Sequence, residues 1–186
     1  VKQAWSRQIG CKTICTATLL SCLFCTAVTC QQAADKRAEE NYIREVVIRK
    51  QMDEWIRGGD RSEKDAKDAT EKAIAKELNF KIFFVSINGK DPSDDLVKRL
   101  QDIPRRIKKV SASEISKQWR MAVLDKGTGE RGIIFRADAI RWVSEDAVEV
   151  EGGYHCDGLC GLGVIFTLRR QGGKWVISSE RMLWIS

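Results

Sequence analysis

Apolar positions change rhythm along this chain. Between residues 32 and 57, Ile43, Val47, Ile48, Met52, Trp55 and Ile56 fall on one broad side of a helix. Ala, Glu, Lys, Arg and Gln fill most other positions, and Gly58-Gly59 is expected to stop the helix. Tyr42 and Val46 lie outside the apolar arc. Residues 60–78 are polar and Ala-rich. Ser62 and Asp65 fit a capping pair there, and Ala66, Ala69, Ala73, Ile74 and Leu78 give a weak stripe. Either a short exposed helix or a charged linker is expected over this stretch. Phe80 to Ile87 (FKIFFVSI) reads as a buried strand closed by Asn88-Gly89. A helix is predicted over 92–102, capped by Asp91, with Pro92 at its first position and Leu96, Val97 and Leu100 inward.

From Arg106 the period becomes two. Strands are predicted over 106–112, 119–125, 131–143, 146–156, 160–170 and 174–185. Lys126-Gly127-Thr128-Gly129, Ser144-Glu145-Asp146 and Gln171-Gly172-Gly173 supply turns between several of them. Short turns between consecutive strands imply an antiparallel meander, and the alternation of Val148 and Val150 with Glu149 and Glu151 implies one wet face. The class is therefore α+β: N-terminal helices packed on a curved antiparallel sheet.

The first thirty residues read differently. Lys2, Arg7 and Lys12 precede an uncharged run from Thr13 to Val28, the layout of a secretory signal. The run is shorter than the roughly 20 apolar residues of a membrane span. A signal peptide or membrane anchor over 1–30 and a single α+β domain over 31–186 are expected, with 60–79 as a polar insertion. Leu19-Leu20-Ser21-Cys22 resembles a bacterial lipobox, which makes Cys22 the candidate lipidation site. Cleavage near Ala27, or a second lipobox-like stretch ending at Cys30, are alternatives. The remaining chain is expected to be exported: periplasmic, membrane-anchored through this segment, or extracellular.

Charge adds little once that segment is set aside. The formal net charge of +6 falls to +3 without its three cations. Arg105, Arg106, Lys108 and Lys109 are the densest basic group, and a solvated strand edge accounts for them without nucleic acid. Six Trp and six Phe are enough aromatic surface for a real core.

Candidate chemistry is sparse. Five of the seven cysteines lie in the first thirty residues, leaving Cys156 and Cys160 as one even pair in the folded part. A disulfide across a hairpin loop suits an exported domain. Two free thiols, or a metal site adding His155 and Asp157, are the alternatives; a structural zinc site lacks its second ligand pair here. His155 is the only histidine, and no nucleophile elbow, P-loop, dinucleotide fingerprint or zincin motif accompanies it. No cofactor is implied. Asp138, inside the β-rich run IIFRADAIRW, is the one carboxylate placed to titrate upward if buried; pairing with Arg136 or Arg141 on the wet face is the alternative. Trp142, Tyr154, Trp175 and Trp184 are expected in the core, or lining a cavity mouth together with Asp138.

The segments IREVVIRKQM, IFFVSINGKDPSDDLVKRL and TGERG, and above all VEVEGGYHCDGLCGLGVIFTLRRQGGKWVISSERMLWIS, resemble a group of uncharacterised bacterial secreted proteins. The resemblance spans most of 43–186 and brings no activity with it. Its element order is similar to the NTF2-like, or cystatin-like, roll. That likeness implies a conical cavity between helix and sheet, suited to a small molecule or a partner protein at the cell envelope. A non-catalytic binding module is the leading expectation. A small isomerase or hydrolase using a cavity carboxylate, and a structural envelope protein, are the other two.

Overall fold

The computed structural model describes the backbone of residues 15–118 and 120–186, with side chains from Ala34 onward except those of residues 60, 61, 63, 77 and 119. The basic flank with Lys2, Arg7 and Lys12 lies outside the described residues, as do the side chains of Cys22 and Cys30. The chain divides between Glu39 and Glu40 into two compact units. Among the described residues, no helix is long and apolar enough to cross a membrane.

Helix α1 spans Cys15–Asp65 and α2 spans Ala69–Leu78. In the second unit Ile43, Val47, Ile48 and Met52 of α1 are fully buried, as the apolar arc requires. Gly58-Gly59 does not stop this helix. A glycine costs about 1 kcal/mol of helix propensity, which a helix anchored in the core for several turns can absorb. Ser62 and Asp65 consequently lie within α1 rather than at the start of a new helix. Asp68 caps α2 instead, its side chain accepting from the Thr70 and Glu71 N–H groups at 2.8 Å.

Strand β1 (Ile82–Ser86) is buried along its whole length because it lies between two parallel neighbours and is covered on both faces. Phe83 and Val85 face the main core, whereas Ile82 and Phe84 pack with Val123 on the other side. Helix α3 (Asp94–Arg99) follows, with a 3-10 turn over Leu100–Asp102. Its cap is Ser93, accepting from Leu96 N–H at 3.3 Å. Asp91, the predicted cap, instead accepts from the Ser111 N–H and hydroxyl at 2.8 and 2.7 Å. A hydroxyl one residue from the helix start reaches its N–H groups more readily than a carboxylate placed before a proline.

The remaining strands are β2 (Arg106–Lys109), β3 (Ser113–Ser116), β4 (Ala122–Asp125), β5 (Gly132–Ser144), β6 (Ala147–Asp157), β7 (Cys160–Gln171) and β8 (Lys174–Ile185). The six-stranded sheet runs β2-β1-β5-β6-β7-β8, and β3-β4 forms a separate two-stranded sheet. The chain is α+β, and β5 to β8 form an antiparallel meander. The meander expected from Arg106 onward thus begins only at β5. Strand β2 pairs in parallel with β1, on the edge opposite β8, because α3 carries the chain back across the sheet. β3 is a strand that the alternation did not reveal, since only Ile115 is apolar within it.

One irregularity sets which side chains face the core. The β5–β6 register shifts between Ala137 and Ile140, so two residues of β5 sit opposite one of β6. Before the shift Ile133, Phe135 and Ala137 point inward; after it Ile140 and Trp142 do. A straight ladder would turn Ile140 and Trp142 to water.

Candidate functional site

A cleft of about 350 Å³ opens between α1, α2 and the inner face of β6, β7 and β8. Its helical wall is Gln51, Glu54, Trp55, Gly58, Gly59 and Ser62 from α1, with Ala75 and Leu78 from α2. Its floor is Gly153 and Tyr154 from β6, Leu162, Val164 and Phe166 from β7, and Glu180 from β8. The α-helical spacing of 51, 54, 55, 58, 59 and 62 turns all six toward the sheet.

The aromatic side chains brace one another. Trp55 stacks on Phe80 with ring centroids 5.9 Å apart and meets Tyr154 edge-on at 4.9 Å. Glycine keeps the floor low. A Cβ on Gly152 would sit 2.9 Å from the Arg136 carbonyl oxygen, 3.0 Å from the Phe166 ring and 3.3 Å from Gln51 Nε2. Gly153 has φ +139° and a Cβ there would run into the Leu162 carbonyl, so only glycine fits.

Polar groups are few and unevenly satisfied. Gln51 is 6% exposed; its Nε2 donates to the carbonyl oxygens of Arg136 at 3.0 Å and Val47 at 3.3 Å. Its Oε1 is buried with no hydrogen-bond partner, and so is the Nε1 of Trp55. A buried acceptor or donor left unmade costs about 1–3 kcal/mol. The two atoms belong to residues on adjacent turns of one helix, and both residues line the cleft. At the rim Lys50 bonds to Glu180 at 2.6 Å and to Glu54. Burial alone would lower the Lys50 ammonium; the hydrogen bonds it donates to Glu180 and Glu54 outweigh that and hold it above the usual lysine value. Burial pushes the Tyr154 phenol upward, so it stays a neutral hydroxyl at pH 7.

A second depression of about 330 Å³ adjoins the first, sharing Ser62, Ala75 and Leu78 with it. Asp65, Ala66, Glu71 and Ile74 complete its walls.

Of the five side chains expected around a cavity, Tyr154 lines the cleft; Asp138, Trp142, Trp175 and Trp184 are not among its lining residues. Asp138 points from the outer face of β5, where it pairs with Arg136 Nη1 at 2.8 Å and accepts from Asn88 N–H at 2.8 Å. It therefore stays with the ion-paired alternative and caps the turn after β1. Trp142 and Trp175 meet edge-on at 5.8 Å near the far ends of β5 and β8, and Arg170 lies 5.0 Å over the Trp175 ring. Trp184 lies over Gly161 and Gly163 on the outer face, where its ring occupies the space a side chain would take.

Cys156 and Cys160 stand at disulfide distance, their Cα atoms 5.3 Å apart across the β6–β7 turn. Asp157 between them is taken by Arg131 at 3.0 Å. Among the described residues, no group of three or more His, Cys, Asp and Glu side chains is placed to hold a metal ion.

Gln51, Glu54 and Glu180 were not singled out from the sequence. Gln51 carried a signal: it is the polar residue within the buried arc Val47-Ile48-Met52-Trp55. Glu180 carried a weaker one, since only the register of β8 against Phe166 turns it inward.

No family model, no curated protein and no solved structure matches the chain.

Proposed function

We propose that the chain is a non-catalytic ligand-binding module of the cell envelope, and that the α1–sheet cleft is where it takes a small, largely apolar molecule. The observation that carries this reading is the cleft itself: apolar walls, a glycine floor, and a buried acceptor and donor, Gln51 Oε1 and Trp55 Nε1, that have no partner. Pockets that bind small molecules combine an apolar lining with a few convergent polar groups. A guest supplying one donor and one acceptor would satisfy both atoms after small side-chain movements. The cavity between helix and sheet is in keeping with an NTF2-like roll, and the uncharged run behind the basic flank supports export. The isomerase or hydrolase alternative relied on Asp138, which Arg136 and Asn88 engage away from the cleft.

The test is a millimolar titration of the full chain with 4-phenylbutan-1-ol, followed by the indole N–H resonances. Six tryptophans are present, and Trp55→Phe assigns the one that matters. The Trp55 signal is expected to shift and saturate. A Trp55 signal that stays fixed while the alcohol, and the amine and carboxylic acid of the same skeleton, reach their solubility limits rules the reading out.

A further inference from the structure

The charged side chains that line the cleft are, among the described residues, all acidic. Glu54 and Glu180 line it, and Asp65 and Glu71 line the depression that continues from it through Ser62, Ala75 and Leu78. Among the described residues lining either, there is no Lys, Arg or His. The chain as a whole is basic, with formal net charge +6, so an acidic groove runs against its average. Lys50 neutralises part of this charge from beside the cleft, yet one ammonium serves two carboxylates, Glu54 and Glu180. Glu71 accepts the Lys67 backbone N–H at 2.7 Å, a bond that satisfies an oxygen without cancelling its charge. The unpartnered Oε1 of Gln51 adds a buried acceptor on the same wall.

Carboxylates lining a low-dielectric recess raise the local concentration of cations and repel anions. Aromatic rings beside them favour the same sign, because a ring face attracts a cation. Trp55 and Tyr154 supply such rings. We infer that the guest of this cleft is an organic cation: an apolar body seated on Trp55, Tyr154 and Phe166, carrying a protonated amine directed to Glu180 and Glu54. The inference rests on the ligand-binding reading above and adds the sign of the charge to it.

Three probes with one apolar body separate the two ideas: 4-phenylbutylamine, 4-phenylbutan-1-ol and 4-phenylbutyrate, titrated into the full chain at low salt. The amine is expected to bind at least tenfold more tightly than the acid, with the alcohol between them. Added salt should narrow that gap, since screening weakens attraction at the rim. Glu180→Gln should reduce the amine-to-acid ratio to about threefold or less. Lys50→Gln should widen the ratio, because it frees both carboxylates; that opposite sign separates charge from mere damage to the fold. If the alcohol binds and the amine gains nothing over it, or the acid binds best, the cation inference is overturned and the cleft reading stands. If none of the three binds, the cleft reading itself falls.

Discussion

Gln51 donates from Nε2 to the carbonyl oxygen of Arg136 over 3.0 Å, tying α1 to β5 immediately before the strand changes phase. The same side chain holds the cleft's unpartnered oxygen. Its amide is therefore half structural tie and half unmet acceptor, and the two halves have opposite energetic signs. Losing the donor bond costs about 1 kcal/mol, and removing the orphaned acceptor recovers a similar amount.

Gln51→Met tests that balance. The volume is similar and both polar atoms disappear. The unfolding free energy from urea titration is expected to stay within about 1 kcal/mol of the parent chain. Binding of 4-phenylbutylamine is expected to weaken severalfold. A loss of several kcal/mol in stability would show that the tie to Arg136 outweighs the orphaned oxygen.

Gly153→Ala should be far more damaging than Gly172→Ala. Both glycines have positive φ, +139° and +57°. Around Gly172 there is open space, so its cost is limited to the left-handed conformation, about 1–2 kcal/mol. At Gly153 the new carbon meets the Leu162 carbonyl and the β6–β7 ladder must open. A cost above about 3 kcal/mol is expected there. Equal losses for the two variants in denaturant unfolding would contradict the described register of β6 on β7.

What was readable from the sequence follows from how locally each feature is encoded. Val47, Ile48 and Met52 announce their helix face because a helix repeats within a few residues. The strands β5 to β8 announce themselves because alternation and turn residues are equally local. The parallel pairing of β1 with β2 and β5 is not local, and nothing in FKIFFVSI distinguishes it from a central antiparallel strand. The bulge after Ala137 shifts Ile140 and Trp142 by one residue, a change that a count of period two does not anticipate. The cleft was least visible. It is assembled from Gln51 and Trp55 on one helix, Tyr154 on β6 and Glu180 on an edge strand, brought together only by register. Asp138 was conspicuous for its apolar neighbours in sequence, yet those neighbours lie on the opposite face from its carboxylate.

The Cys156–Cys160 link should be worth little to the fold. It closes a loop of five residues, and the chain-entropy relation gives about 2 kcal/mol for so short a loop. Reductant is expected to lower the thermal midpoint by a few degrees without abolishing cooperative unfolding. Peptide mass after alkylation and digestion should show Cys156 and Cys160 unlabelled before reduction and both labelled after it. Two labelled thiols without reductant would mean that the pair is held close by the hairpin alone.

Asp125 is the buried carboxylate whose pairing acid must break. Its side chain is fully buried and accepts from Lys108 Nζ at 2.8 Å and from the Thr128 hydroxyl at 2.9 Å. The Lys108 bond, with Thr128 behind it, outweighs burial and holds this carboxyl below the usual aspartate value. A carboxyl depressed in the folded state stabilises the protein above its unfolded pKa, about 3.9, and loses that contribution as pH falls through the lower folded value. The thermal midpoint is thus expected to drop as pH falls below about 4, within the acid limb, and to be flat in this contribution near neutrality. Asp125→Asn should lower the midpoint at pH 7 by roughly 4–8 °C and make the acid limb shallower, since the variant has no proton to take up there. Lys108→Met should also flatten that limb, because it removes the largest cause of the depression. If Asp125→Asn left the slope between pH 4 and pH 2 unchanged, another carboxylate would be governing acid unfolding.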